Sequence, residues 1–152
     1  MCYALWHAWD RDKALKLVNV YRLKRAPEIM YELLRERSTE HDRFVNISHR
    51  KLPTWRAHLA FIRKRPYRAW YLIRERDDYA GTLYLSKAGE IGIVLFRAFR
   101  GKGIGPKAIA ALMKRHKSAR FIANINPKNK RSIALFKKLG FSLLQHTYEL
   151  RK

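Results

Sequence analysis

The chain has 152 residues, 47% of them hydrophobic and 30% charged, which suits one folded domain with a real core and excludes wholesale disorder. The longest apolar runs, such as Ile93-Val94-Leu95-Phe96, fall far short of the roughly 20 residues of a membrane span, and a single cysteine, Cys2, excludes an intrachain disulfide. Lys and Arg number 34 against 12 Asp and Glu, a net charge of +22.

The opening residues Met1 to His7 lack a basic stretch followed by an apolar one, so no signal peptide is expected and a cytoplasmic setting is. Residues 1–13 read as a polar lead-in carrying Trp6 and Trp9. Leu15 to Tyr21 alternates as a strand does. Pro27 opens a helix to about Arg37, with Ile29, Leu33 and Leu34 on one face. Residues 38–53 read as an irregular connection. Thr54 is placed to cap a second helix, with Trp55, Leu59 and Ile62 on its apolar face, and Pro66 ends it.

Three strand-like runs follow, Ala69 to Arg74, Tyr79 to Leu85 and Glu90 to Phe96. The breaks at Asp77-Asp78 and Lys87-Ala88-Gly89 suit tight turns and antiparallel pairing. After Arg100-Gly101-Lys102-Gly103-Ile104-Gly105 a helix is expected from Pro106, with Ile109, Leu112, Met113 and His116 on one face. Phe121 to Ile125 reads as a strand. Asn129 to Leu139 reads as a helix stopped by Gly140, and Phe141 to Leu150 as a last strand or strand pair. The order makes a mixed α/β domain whose sheet turns from antiparallel to parallel at the glycine-rich turn.

Glycines between a strand and a helix let backbone amides approach a phosphate, and the helix dipole favours the negative charge. The turn is neither a Walker loop nor a dinucleotide fingerprint, because Gly-Lys-Ser/Thr and Gly-x-Gly-x-x-Gly are both absent. A plain structural turn is the alternative.

Two motifs together carry a resemblance. Arg100-x-x-Gly103-x-Gly105 resembles the pyrophosphate-binding signature of the GNAT superfamily of N-acetyltransferases. Asn126 to Phe141, with Asn129-x-x-Ser132 leading into Lys138-Leu139-Gly140-Phe141, resembles the same superfamily's second motif. The likeness is sharp over residues 90–141 and vague before about residue 69.

The resemblance implies one GNAT-like domain over residues 1–152, with a central splayed mixed sheet flanked by helices, and acetyl-CoA as co-substrate with no metal. It implies that strands 90–96 and 120–125 fork to admit the pantetheine arm. Backbone groups of Ile93, Val94 and Leu95 would pair with that arm. The amides of Gly101, Lys102, Gly103, Ile104 and Gly105 would wrap the pyrophosphate, with Arg100 beside it. Asn126, Asn129, Ser132 and Phe136 would face the arm and thioester, and Asn129 is equally suited to a plain helix cap.

Acetyl transfer to an amine needs a base, because an amine of pKa near 10 is mostly charged at neutral pH. Glu90 is the sole acid between Asp78 and Glu149, and it is the base expected to work through water. The Leu95 amide is the expected oxyanion donor. The family often carries a tyrosine where this chain has Phe136, so Ser132, Tyr148 or water is left to protonate the leaving sulfur. A catalytically silent scaffold is the alternative. The segment Asn46 to Pro53 falls where the family forms its acceptor side, and His49 is a candidate to hold or deprotonate the acceptor. His7, His41, His58, His116 and His146 show no metal-ligand spacing among themselves or with Cys2.

The charge is graded, +3 over residues 1–50, +7 over 51–100 and +12 over 101–152. A coenzyme needs only a few cations, so the excess points to a nucleic acid as the carrier of the acceptor amine, a modified DNA base or an aminoacyl-tRNA. Arg63-Lys64-Arg65 beside Tyr67 and Arg68 is a candidate backbone-contact patch. Small-molecule or protein amines are the competing acceptors, and a basic nucleic-acid-binding module without turnover is the non-catalytic alternative. Monomer and homodimer are both open.

Overall fold

Short runs of apolar side chains, buried on both faces in the central strand, draw four segments into one antiparallel sheet in the order β1-β2-β3-β4. The computed structural model describes residues 15–39 and 51–150. The strands are β1 (Leu15–Asn19), β2 (Ala69–Glu75), β3 (Asp78–Leu85) and β4 (Ile91–Leu95). A bulge between Ile73 and Arg74 shifts the register of β2 on β3. The first four strands of the sequence reading lie within a residue or two of these, and both tight turns form where they were expected.

The helices are α1 (Ala26–Ser38), α2 (Trp55–Arg63), α3 (Ile104–Arg115) and α4 (Lys130–Lys138). Each end has a local cause. Pro27 lies in the first turn of α1, where its missing N–H would have had no helical partner. At the other end the hydroxyls of Ser38 and Thr39 donate to the carbonyls of Arg35 and Glu36. Thr54 Oγ1 accepts from the Ala57 amide at 3.2 Å to cap α2. Gly103, at φ +76°, precedes α3, and Gly140, at φ +88°, follows α4; both conformations favour glycine.

The two faces of the sheet bury different layers. Tyr71, Ile73, Leu83, Leu85 and Ile91 face α3 and α4, meeting Ile104, Ala108, Ile109, Leu112 and Phe136. Trp70 and Leu72 face α1 and α2, meeting Val20, Met30 and Ile62. Leu72, Ile73, Leu83, Leu85, Ile109 and Leu112 are wholly enclosed, each contributing about 1.5–3 kcal/mol of hydrophobic stabilisation. A hydrogen bond of 2.7 Å between Tyr71 Oη and His116 Nε2 ties β2 to the end of α3.

Four expectations are corrected. The buried face of α1 runs through Met30 and Leu33, with Ile29 and Leu34 at its margins. On α2 the buried residues are His58 and Ile62, and Trp55 is exposed. His58 turns inward because its Nε2–H donates to the Pro27 carbonyl at 2.9 Å. Residues 121–125 make no strand ladder, only the parallel bridge between Glu90 and Ile122. Residues 141–150 form no strand, and Leu143, Leu144, Tyr148 and Leu150 are exposed. An alternating pattern without a neighbouring strand cannot form a ladder. The lead-in 1–13, residues 40–50 of the connection, and His49 lie outside the described residues.

Candidate active site

The parallel bridge between Glu90 and Ile122 defines the site. The Ile91 amide donates to the Ile122 carbonyl at 2.8 Å, and the Ile122 amide to the Gly89 carbonyl at 2.9 Å. Beyond that point β4 pairs with β3 alone among the described residues. The Phe96 amide bonds the Ala80 carbonyl at 2.9 Å and the Ser86 amide bonds the Glu90 carbonyl at 2.8 Å. Antiparallel alternation therefore turns the peptides of Gly92 and Val94 toward β3, and those of Ile93 and Leu95 toward the open side. Val94, expected among the ligand-pairing residues, is corrected on this ground: its peptide belongs to the pair with Thr82. The Leu95 carbonyl is taken by Arg100 Nε at 3.0 Å, so Arg100 folds the glycine-rich turn back onto the strand end.

That turn begins where β4 ends. A short 3-10 segment, Arg97–Phe99, leads from Phe96 into it, and α3 starts at Ile104, two residues before the expected Pro106. Gly101 and Gly103 both have left-handed φ and no atom within 4 Å of a would-be Cβ. The cradle is open toward solvent, and Lys102 is exposed on it. Gly105 is instead buried under Leu135 at the first turn of α3. The first turn of α3 contains no acidic residue, and its positive dipole end is suited to an anion.

The second motif lies across the gap. Asn129 Oδ1 accepts from the Ser132 amide at 3.1 Å and caps α4. Asn126 Oδ1 accepts from the Lys128 amide at 3.0 Å, shaping the turn before it. Phe136 is 5% exposed and meets Phe141 edge to face at 5.1 Å. It is a core residue with neither a hydroxyl nor free surface to offer a ligand.

On the other face of β4 the structure gathers residues that motif reading missed. Glu90 and Gly92 share the parity of the residues facing α1 and α2. The far end of the Tyr84 ring, including its hydroxyl, occupies the space a Cβ at Gly92 would take. Tyr84 stacks on Tyr67 at 4.0 Å and 11°. Burial, then the Tyr84 phenol, the Glu90 carboxylate and the Tyr21 phenol push the Tyr67 hydroxyl up to about 12. Burial, then Glu90, also raises Tyr84, with Arg37 opposing. Burial raises Tyr21 against the pull of Arg65, whose guanidinium lies 4.6 Å from the Tyr21 ring centre. The signal was a tyrosine directly opposite a glycine in paired strands, which needs the register to be seen.

The other expected residues fall elsewhere. Tyr148 is 91% exposed on a segment without regular structure, so nothing holds its hydroxyl at β4. Arg63, Lys64 and Arg65 are exposed where α2 ends, but Tyr67 is committed to the stack. Every described Lys and Arg from Lys102 to Lys138 is exposed. Among the described residues no group of three His, Cys, Asp or Glu stands together as a metal site, and no helix is long and apolar enough to cross a membrane.

Comparison with known proteins follows the same lines. A family model described as an acetyltransferase (GNAT) domain matches residues 12–142. No curated protein matches the sequence. Among solved structures, a domain from Methanocaldococcus jannaschii is 22% identical, with a TM-score of 0.74, over 89% of this chain and 92% of its own. RimL, a ribosomal L7/L12 alpha-N-protein acetyltransferase in complex with coenzyme A, is 19% identical, with a TM-score of 0.71, over 87% of this chain and 82% of its own. Spermidine N-acetyltransferase from Vibrio cholerae, with CoA and spermine, is 13% identical, with a TM-score of 0.70, over 88% and 84%.

Proposed function

The chain belongs to the GNAT acetyltransferase family, and from that premise we propose that it transfers acetyl from acetyl-CoA directly to an acceptor amine carried on a polyanion, in the first place a nucleic acid. The single observation that carries the coenzyme half is the outward-facing, ladder-free peptides of Ile93 and Leu95 beside an open glycine cradle. Those groups suit an amide-bearing arm laid along β4 with its diphosphate at residues 101–105. A bound acetyl-CoA supplies an acyl thioester.

The chain's own residues then divide the work. Gly101, Lys102, Gly103, Ile104 and Gly105 hold the diphosphate through backbone amides, and the Lys102 side chain adds charge. Asn126 and Asn129 fix the far wall by their turn and cap, and Ser132 lies on the first turn of α4. Glu90 accepts the amine proton through water. Leu95 lies next to the cradle and about 13 Å along the strand from Ile91, at about 3.3 Å per residue. An arm that starts at the cradle therefore brings its reacting end to the Ile91–Ile93 side. We assign the oxyanion contact to the Ile93 amide rather than to Leu95.

The acceptor half rests on charge. A field of +22 repels cationic amines and concentrates anions. Labelled acetyl-CoA, incubated with separate pools of tRNA, modified DNA, proteins and small amines, tests it. Label is expected in a nucleic-acid pool, with affinity for that pool falling steeply as salt rises. Label confined to small cationic amines contradicts the reading. A second reading, a protein α-amine, is favoured by the similarity to RimL, and label in the protein pool alone selects it.

A further inference from the structure

The reaction leaves a thiolate that must be protonated; of the side chains expected for that task, Ser132 lies on the first turn of α4 and Tyr148 is out of place. Phe136 has no hydroxyl and is enclosed in the core, and Tyr148 is exposed on the terminal segment. The Tyr84 phenol does reach β4. Tyr84 leans from β3 across Gly92, and its ring end fills the position of the missing Cβ. Any side chain at 92 would expel it. The Tyr84–Gly92 pair lies between Ile91, where the ladder to residue 122 ends, and Ile93, the first ladder-free peptide beyond it. The hydroxyl thus overhangs the strand at the point where the gap opens.

We infer that Tyr84 is the catalytic acid of this enzyme, donating its hydroxyl proton to the departing coenzyme sulfur. The inference rests on the coenzyme reading above. The amine nitrogen bonds to the acetyl carbon and the carbon–sulfur bond breaks, its electron pair staying on sulfur. Tyr84 gives its proton to that sulfur. The proton shed by the amine passes through Glu90 and water to the Tyr84 oxygen, so the enzyme is returned unchanged and the products are an amide and a thiol.

The surroundings suit the role. Tyr67 stacks on the ring and fixes its plane. The groups facing Tyr84 are Tyr67 from the segment before β2, Glu90 from the bridge just before β4 and Arg37 from α1. Tyr21, from the turn after β1, acts on Tyr67. Burial and Glu90 outweigh Arg37, so the phenol stays protonated at neutral pH and has a proton to give.

The Tyr84→Phe variant tests this, because it keeps the ring over Gly92 and removes only the hydroxyl. Wild-type and variant protein are each loaded with free coenzyme A, and the thiol is titrated by its ultraviolet absorbance. Loss of the donor is expected to raise the bound thiol's pKa by about a unit, and a crystal of the wild-type complex is expected to show Tyr84 Oη within hydrogen-bond reach of sulfur. Turnover on the pool that accepts label is expected to fall about 10²–10⁴-fold in kcat, with the KM for acetyl-CoA unchanged. An unmoved thiol pKa, a hydroxyl turned away from sulfur, or unchanged kcat overturns the assignment. Failure of the wild type to bind coenzyme A overturns the coenzyme reading itself, a different result.

Discussion

The amide of Ile91 and the carbonyl of Ile122, 2.8 Å apart, close the fork between β4 and the residues after α3. Had the pairing run on, Ile93 and Leu95 would have spent their amides on the neighbouring chain segment. Because it stops, the Ile93 and Leu95 amides on that edge of β4 stay outside any ladder among the described residues.

Ile93→Pro isolates that function. The Ile93 N–H faces away from β3, so its removal costs no ladder bond, and proline is tolerated at such strand positions. Circular dichroism is expected to show a folded protein, and calorimetry a loss of coenzyme A affinity of at least tenfold. Unchanged affinity would remove Ile93 from the site.

The glycines of the cradle separate by backbone conformation. Gly103→Ala meets no atom but must hold φ +76°, which costs about 1–2 kcal/mol for an L-residue. Gly105→Ala makes ordinary contact with Leu135 at 3.5 Å and lies in a helix, where alanine is the better former. Thermal melts are expected to show Gly103→Ala destabilised and Gly105→Ala unchanged or slightly improved. Coenzyme binding is expected to weaken in Gly103→Ala.

Phe136 distinguishes a structural from a catalytic position. Phe136→Ala opens a cavity in the core and is expected to cost about 3–5 kcal/mol. Phe136→Tyr puts a hydroxyl into a 5% exposed site. It is expected to lower stability by about 1–3 kcal/mol if the hydroxyl finds no partner, without raising turnover. A rate gain in that variant would assign the acid to α4.

Two histidines make stability depend on pH. Burial, against the Pro27 carbonyl and Glu28, lowers the pKa of His58 below its ordinary 6.5. Burial, then Arg68 and Arg115, lowers that of His116. The unfolded chain therefore takes up these protons more readily. The stability tied to neutral imidazoles is complete above about 6.5 and is lost as pH falls through that value toward the lower folded ones. The melting temperature is expected to drop between about pH 7.5 and 5.5, and less steeply in His58→Gln, whose amide can still donate to Pro27. A pH-independent melt would show that neither group titrates on unfolding.

Local chemistry made much of this legible in the sequence. Thr54, Asn129 and Gly140 announced helix ends through side-chain oxygens or a left-handed φ, and Asp77-Asp78 and Gly89 announced turns. The glycine-rich turn and Asn129-x-x-Ser132 were readable because their spacing is local. Register was not. Whether Val94 or Ile93 faces the gap depends on which residue of β3 it meets, and a shift by one exchanges them. Tyr84 over Gly92 is a pairing of residues eight apart that only the folded sheet brings together. The burial of His58 was not legible, because its partner, the Pro27 carbonyl, belongs to another helix.

Hydrogen exchange at the Ile93 and Leu95 amides, measured with and without coenzyme A, tests the fork most directly. Both amides are expected to exchange rapidly in the free protein and to slow at least tenfold when the coenzyme is bound, while Gly92 and Val94, held by β3, stay slow throughout. Ile93 and Leu95 amides that are already protected in the free protein, or that exchange equally fast with coenzyme bound, would contradict the account.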